Sequence, residues 1–256
     1  MVGLELNKGN RVLLASAFRN CKRVDLSIDC VIEGQMGKAF ADDPENPIVF
    51  KIGVGPFSYF AGDPTSSGAG EMIKDLSTYP LFMPSTEGWI DLAKEVHGKK
   101  LTPFPRYSFS SEELSVEHLD RLLADSRFKD EVQRIDMAAA DEALAIQDGV
   151  LDLSDFDSAE DFAGRGIGFR LMEKECVVGV AFSSLVCSKG IEVSIYVFPE
   201  HRRKGVALTL GSKLLKWCLE HQMDPHWDAA NTESCTLAEK LGYAPTETYN
   251  AYYLKE

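Results

Sequence analysis

The stretch that decides the fold is residues 191–222, IEVSIYVFPEHRRKGVALTLGSKLLKWCLEHQ. It opens with a β-rich run up to Val197, and Pro199 stops any ladder because it has no N–H to donate. A short polar loop then leads through Gly205 into Leu210, Leu214, Leu215 and Cys218, which recur on one face of a helix. Strand, turn and helix follow in direct succession. Such a junction points several unpaired backbone N–H groups and the positive end of the helix dipole at one spot, where an anionic phosphate can bind. Gly205 and the small Ala207 permit close backbone approach, and Arg202, Arg203 and Lys204 add positive charge. A pyrophosphate fits this pattern, but the bare spacing R-x-x-G-x-A fits an ordinary helix start with basic residues on a solvated loop equally. Neither G-x-x-x-x-G-K-[ST] nor G-x-G-x-x-G occurs, which removes the P-loop and the dinucleotide fingerprint.

Upstream, GIGFRLM (166–172), CVVGVAFSSLV (176–186) and IEVSIYV are joined by the turns EKE and CSKG at hairpin spacing, which predicts an antiparallel meander. Before it, residues 106–109 read as a strand. Ser115 opens a helix carrying Val116, Leu119, Leu122 and Leu123, and MAAADEALAI (137–146) is a run of helix formers. Ser158 with Asp161 forms a capping box for a short helix ending at Gly164 or Gly166. Pro103 and Pro105 mark a domain boundary near residue 104. In the first hundred residues, Pro44, Pro47, Pro56, Pro64, Pro80 and Pro84 separate VIEGQMGKAF (31–40), PIVFKIGV (47–54) and FSYFAG (57–62), which read as short strands in a loop-rich sheet. GDPTSSGAG (62–70) reads as a plain connection or a ligand loop. The expected class is α/β, with a mostly antiparallel central sheet flanked by helices in residues 105–256, behind a smaller α/β domain in residues 1–104.

Length and composition narrow the function. The chain has 256 residues, 45% hydrophobic and 26% charged, a globular profile long enough for one large domain or two ordinary ones. A net charge of −13 argues against a nucleic-acid partner, which needs clustered Lys and Arg. Residues 110–161 hold 16 acidic against 4 basic side chains, either a solvated helical face or a surface that concentrates a cationic substrate. No run approaches the roughly 18 apolar residues of a membrane span, and the N-terminal segment is unlike a signal peptide, so a cytoplasmic protein without membrane partner is expected. The six cysteines, Cys21, Cys30, Cys176, Cys187, Cys218 and Cys235, form no C-x-x-C pair and imply neither zinc nor disulfides.

Val197, Pro199, Arg202, Gly205 and Ala207 together resemble the acetyl-CoA signature V-x-P-x-x-[RQ]-x-x-G-x-[GA] of the GNAT superfamily of N-acetyltransferases. Downstream, PHWDAAN (225–231), Ser234, Leu237 and KLGY (240–243) resemble that superfamily's next strand, asparagine and helix. The resemblance covers about residues 105–256, with residues 249–254 as the last strand. HRRKGVA, WDAAN, LAEKLGY and the separate N-terminal half further resemble the subgroup of larger GNAT proteins that includes zwittermicin-type antibiotic-resistance acetyltransferases, in which the N-terminal half can be a degenerate second GNAT-like unit.

The resemblance implies acetyl-CoA as co-substrate, no metal, and a splayed junction between the strand ending at Val197 and the one near His226, holding the pantetheine arm. Backbone N–H groups near Val197 and Phe198 would polarise the thioester carbonyl, those of Arg203, Lys204, Gly205, Val206 and Ala207 would hold the pyrophosphate, and Asn231 and Ser234 would line the cofactor side. An ammonium group has no lone pair, so transfer to an amine needs a base. Glu192, which shares a strand face with Ser194 and Tyr196, is the first candidate, with Asp228 and His226 behind it. The position seven after Asn231, where many family members carry an acidic tyrosine, is Ala238; Tyr196 or Tyr243 would substitute, or water would protonate the thiolate. The acceptor implied is a small cationic molecule with a primary amine, such as an antibiotic, polyamine or amino acid; a homodimer is compatible. The rival reading is a non-catalytic acyl-CoA-binding sensor or interaction module.

Overall fold

The computed structural model describes residues 3–19, 25–43, 45–146 and 151–255, without the side chains of 142–146; Cys21, Pro44 and part of the acidic segment lie outside the described residues. The chain divides into two compact units, Met1–Arg106 with Tyr249–Glu256, and Tyr107–Thr248.

In the first unit the order is β1 (Leu4–Glu5), α1 (Val12–Phe18), α2 (Leu26–Ile32), β2 (Lys38–Ala41), β3 (Val49–Val54), β4 (Phe57–Gly62), α3 (Ser67–Lys74), β5 (Leu81–Pro84) and α4 (Glu87–His97). Strands β1 to β4 pair antiparallel in sequence, and β5 runs parallel to β4. The strand expected across 31–40 is mostly absent: Val31 and Ile32 close α2, and β2 starts only at Lys38. Gly37 explains this, since its φ of +63° lies in the left-handed region and a Cβ there would come within 2.7 Å of the Gly53 carbonyl. The turn-rich stretch 62–70 is half helix, because the Ser66 hydroxyl accepts the Ala69 N–H at 3.2 Å and starts α3. Phe60, Phe82 and Trp89 form the centre of this unit's core.

Next come β6 (Leu101–Ser110), α5 (Val116–Ala124), β7 (Val132–Arg134), α6 (Met137–Ile146), α7 (Ala159–Arg165), β8 (Gly168–Glu173), β9 (Cys176–Val186), β10 (Gly190–Val197), α8 (Val206–Glu220), β11 (Asp224–Ala229), α9 (Thr232–Leu241) and β12 (Ala244–Leu254). Ser115 and Ser158 cap α5 and α7 as their sequence signals predict. The meander β8–β9–β10 forms at the expected residues, with the short β7, which carries no sequence signal, added to its edge. β11 lies parallel to β10 and antiparallel to β6. The result is a mixed α/β fold with a mostly antiparallel sheet flanked by helices. Residues 249–256, expected with the C-terminal domain, group with the first unit: Tyr252 sits opposite Phe82, its ring 6.1 Å away, and Leu254 joins the core around Trp89.

The two units share one plan. Strand, two helices, three strands, helix, parallel strand and helix occur in β1-α1-α2-β2-β3-β4-α3-β5-α4 and again in β7-α6-α7-β8-β9-β10-α8-β11-α9, with the same pairings. They differ at the junction before the penultimate helix. β4 and β5 pair over four rungs, from Phe57 opposite Leu81 to Phe60 opposite Pro84. In the second unit the corresponding pairing stops early. Among the described residues no helix is long and apolar enough to cross a membrane.

Candidate active site

β10 pairs with β9 along its length, Val197 lying opposite Gly179, but with β11 only at Gly190, Ile191 and Glu192 against Asp224, Pro225 and His226. Residues 193–197 and 227–229 then run on without shared rungs, leaving a gap between the strands. Parity decides which groups face it. The Phe198 N–H donates to the Val178 carbonyl at 3.1 Å, so even-numbered residues here turn their backbone groups toward β9. The N–H groups of Ile195 and Val197 therefore face the gap. Phe198, expected to offer its N–H to the pantetheine arm, has that N–H engaged and cannot do so.

After β10, a single turn at Pro199–His201 carries the chain into the loop. Arg202 is exposed, and its Nε donates to the Val197 carbonyl at 3.0 Å, pinning the loop to the strand end. Arg203 and Gly205 both take positive φ, +61° and +95°, which folds the backbone into a concave run of N–H groups ahead of α8. No side chain caps α8, and a Cβ at Gly205 would meet nothing within 4 Å, so the space before the helix is open. Thr209 secures the loop from behind, with both its N–H and its hydroxyl donating to the Gly205 carbonyl at 3.0 Å. Arg203 and Lys204 are exposed beside this concavity, with Val206 buried and Ala207 half-buried in the first turn. An anion with several oxygens fits the donor set.

The faces of β10 and β11 separate cleanly. Trp227 Nε1 donates to Ser234 Oγ at 3.2 Å and its ring lies 5.3 Å from Tyr243, so β11 turns Trp227 toward α9 and, by alternation, His226 and Asp228 away. Ile195 lies under α8, where a Cβ on Gly211 would come within 3.3 Å of it. Glu192, Ser194 and Tyr196 consequently share the face of His226 and Asp228. Glu192 is 8% exposed, and its Oε2 lies 2.7 Å from His226 Nδ1. This pair occupies the last rung before the strands part. Tyr196 packs edge-on against Phe198 at 5.3 Å, and Asp228 sits opposite Ser108 of β6.

Other expected residues have structural duties. Asn231 Oδ1 accepts the Ser234 N–H at 2.9 Å and caps α9, while Ser234 Oγ holds Trp227. Ala238 is fully buried, so no acid stands at that position. The Tyr243 hydroxyl donates to the Pro225 carbonyl at 2.6 Å, and burial pushes its pKa well above the ordinary tyrosine value, so it stays protonated and is a weaker acid than an ordinary tyrosine. Burial first, then Glu239 and Asp228, push the Cys235 thiol up, keeping it protonated and unreactive. No sequence pattern marks the contact of His226 with Glu192, since the two are 34 residues apart and only the parallel register joins them.

A family model described as GNAT acetyltransferase matches residues 18–252. The chain belongs to the GNAT acetyltransferase family. This acetyltransferase is 28% identical over 228 residues, 85% of each chain, to a Bacillus subtilis (strain 168) protein named uncharacterized N-acetyltransferase YdfB. It superposes on a GCN5-related N-acetyltransferase-like protein from Streptococcus suis 89/1591 with a TM-score of 0.83 and 27% identity, over 96% of this chain and 98% of that one. A GCN5-related N-acetyltransferase from Kribbella flavida shares the fold alone, with a TM-score of 0.55 and 13% identity over 99% of this chain and 97% of that one. The family match begins inside the first unit, whereas the sequence motifs carry the resemblance only from about residue 105.

Proposed function

We propose that this acetyltransferase moves the acetyl group of acetyl-CoA directly to a primary amine of a small cationic molecule. The observation that carries the reading is the open junction of β10 and β11, with Glu192 at its closed end and the uncapped Gly205 loop at its open end. The pantetheine arm would complete the missing rungs through the Ile195 and Val197 N–H groups, the latter polarising the thioester carbonyl. Arg203, Lys204, Gly205, Val206 and Ala207 would hold the pyrophosphate by backbone N–H groups and charge. Glu192 would take the ammonium proton; the amine nitrogen then attacks the carbonyl carbon, the C–N bond forms as C–S breaks, and the thiolate takes a proton from water that the nitrogen's second proton replaces. Positioning and carbonyl polarisation supply most of the rate, with proton removal adding a factor of roughly 10² to 10⁴. Glu192 and Asp228 on one face favour a cationic acceptor, and so does the acidic segment 110–161.

The first unit, on this reading, is a second copy of the same plan whose junction is closed. Its β4 and β5 stay paired through Pro84, Ser66 caps α3, and Asp63, bound to the N–H and hydroxyl of Thr65, puts a carboxylate where a pyrophosphate would need donors. One acetyl-CoA per chain follows. The test is free-thiol release from acetyl-CoA across aminoglycosides, polyamines, amino acids and short peptides, with acetyl-CoA binding measured calorimetrically on the same sample. Thiol release with one amine class supports the reading. Tight binding without release to any amine would instead identify an acyl-CoA sensor.

A further inference from the structure

We propose that His226 is a positioning residue for Glu192: its Nδ1–H holds Oε2 of the carboxylate so that the other oxygen, Oε1, meets the acceptor's ammonium group. The inference rests on the reading of Glu192 as the base and adds a residue to it. Three observations converge on the pair. Glu192 and His226 face each other in register on neighbouring parallel strands, at the last rung before β10 and β11 part. Their contact is 2.7 Å, and the two side chains are only 11% and 19% exposed, so water competes weakly for the bond. The backbone beneath Glu192 is also fixed. The β9–β10 register shifts at Glu192 and Val193, and the Ser184 hydroxyl donates to the Glu192 carbonyl at 3.3 Å. The extra residue is Ser184 itself, since Leu185 lies opposite Glu192 and Ser183 opposite Val193.

A glutamate has three rotatable side-chain bonds, and a base is effective only when its oxygen lies within hydrogen-bond reach of the proton it removes. The histidine bond removes that freedom at one oxygen. In the step itself, the ammonium proton passes to Oε1, directly or through one water. The freed lone pair forms the C–N bond to the acetyl carbon and C–S breaks; the second proton that the nitrogen sheds on becoming an amide passes through water to the thiolate, and the proton on Glu192 leaves to solvent after the product amide departs. Throughout the step His226 keeps its Nδ1 proton, so no proton is counted twice.

The test is a double-mutant cycle on the full chain with Glu192→Gln, His226→Leu and the double variant, measuring kcat, KM and acetyl-CoA affinity with an amine the protein accepts. Expected are a fall in kcat of about a hundredfold for Glu192→Gln, at least about tenfold for His226→Leu, and for the double variant no further loss beyond Glu192→Gln, because residues acting as one unit are not additive. Acetyl-CoA affinity should be unchanged in all three. His226→Asn, which places an amide N–H near the Nδ1 position, should recover most of the kcat lost in His226→Leu. A His226→Leu variant with full kcat, or losses that multiply in the double variant, overturns the proposal while leaving Glu192 as base. Full kcat in Glu192→Gln, or a wild-type protein that transfers to no amine, overturns both.

A second readout needs no turnover. Nitrogen-15 NMR of the imidazoles, with the His226 signals assigned by their loss in His226→Leu, should show the Nδ1–H tautomer in the wild type and its loss in Glu192→Gln. An Nε2–H tautomer in both proteins overturns the pairing.

Discussion

Replacing Gly205 by alanine and by glutamate separates the two things the proposed phosphate loop needs, a left-handed backbone and an empty anion site. Gly205 sits at φ +95° and ψ −4°, and a Cβ there would touch nothing within 4 Å. Steric clash is therefore absent, and Gly205→Ala costs only the left-handed strain of an L-residue, about 1–2 kcal/mol. Glutamate carries the same strain. Its carboxylate, however, would lie at the uncapped start of α8, where the helix dipole favours negative charge by about 0.3–1 kcal/mol. Gly205→Glu should thus be slightly more stable than Gly205→Ala. For acetyl-CoA the order reverses. A carboxylate about 6 Å from a phosphate at an effective dielectric of about 20 costs about 3 kcal/mol, or about a hundredfold in Kd. Urea unfolding followed by circular dichroism gives the first quantity and titration calorimetry with acetyl-CoA the second. If Gly205→Glu binds acetyl-CoA as tightly as Gly205→Ala, the loop is not the anion site. If Gly205→Ala loses no stability, the left-handed conformation is not what glycine supplies there.

Three further outcomes follow from the structure. Burial, then Asp224, push the Cys218 thiol up to about 12 from 9.0. The folded protein thus keeps a proton that the unfolded chain loses, and the associated stability, complete below pH 9, is lost as pH rises toward 12. At pH 10.5 the loss is about 2 kcal/mol, so Cys218→Ala should flatten the alkaline fall in unfolding free energy; parallel pH curves for the two proteins would contradict the assignment. Tyr243→Phe removes the bond to Pro225 and should lower stability by about 1 kcal/mol in urea unfolding while leaving kcat unchanged, and a large drop in kcat would return Tyr243 to the mechanism. Calorimetry should give one acetyl-CoA per chain, since β4 and β5 are paired where β10 and β11 part; a stoichiometry of two would show that the first unit's junction opens.

The sequence by itself determined what depends on neighbours a few residues apart. Ser115 and Ser158 as caps, the hairpin turns of the meander ending at Val197, and the glycine loop into α8 are all local, and each cap or φ angle acts within about four positions of where it stands. Those features sufficed for the family resemblance and the class of fold. The first unit's helices are less legible, because α1, α2 and α3 are only seven or eight residues long, and α3 and α4 are held by packing Ala69, Met72, Ile73, Trp89 and Ala93 with Phe60 and Phe82 rather than by propensity. Only the tertiary structure decided which backbone groups face the gap, that Phe198 is excluded there, that Glu192 meets His226, and that β12 ends in the first unit's core. All of these are matters of strand register between distant segments. A shift of one residue would turn every one of those groups to the opposite side, and no local pattern fixes it.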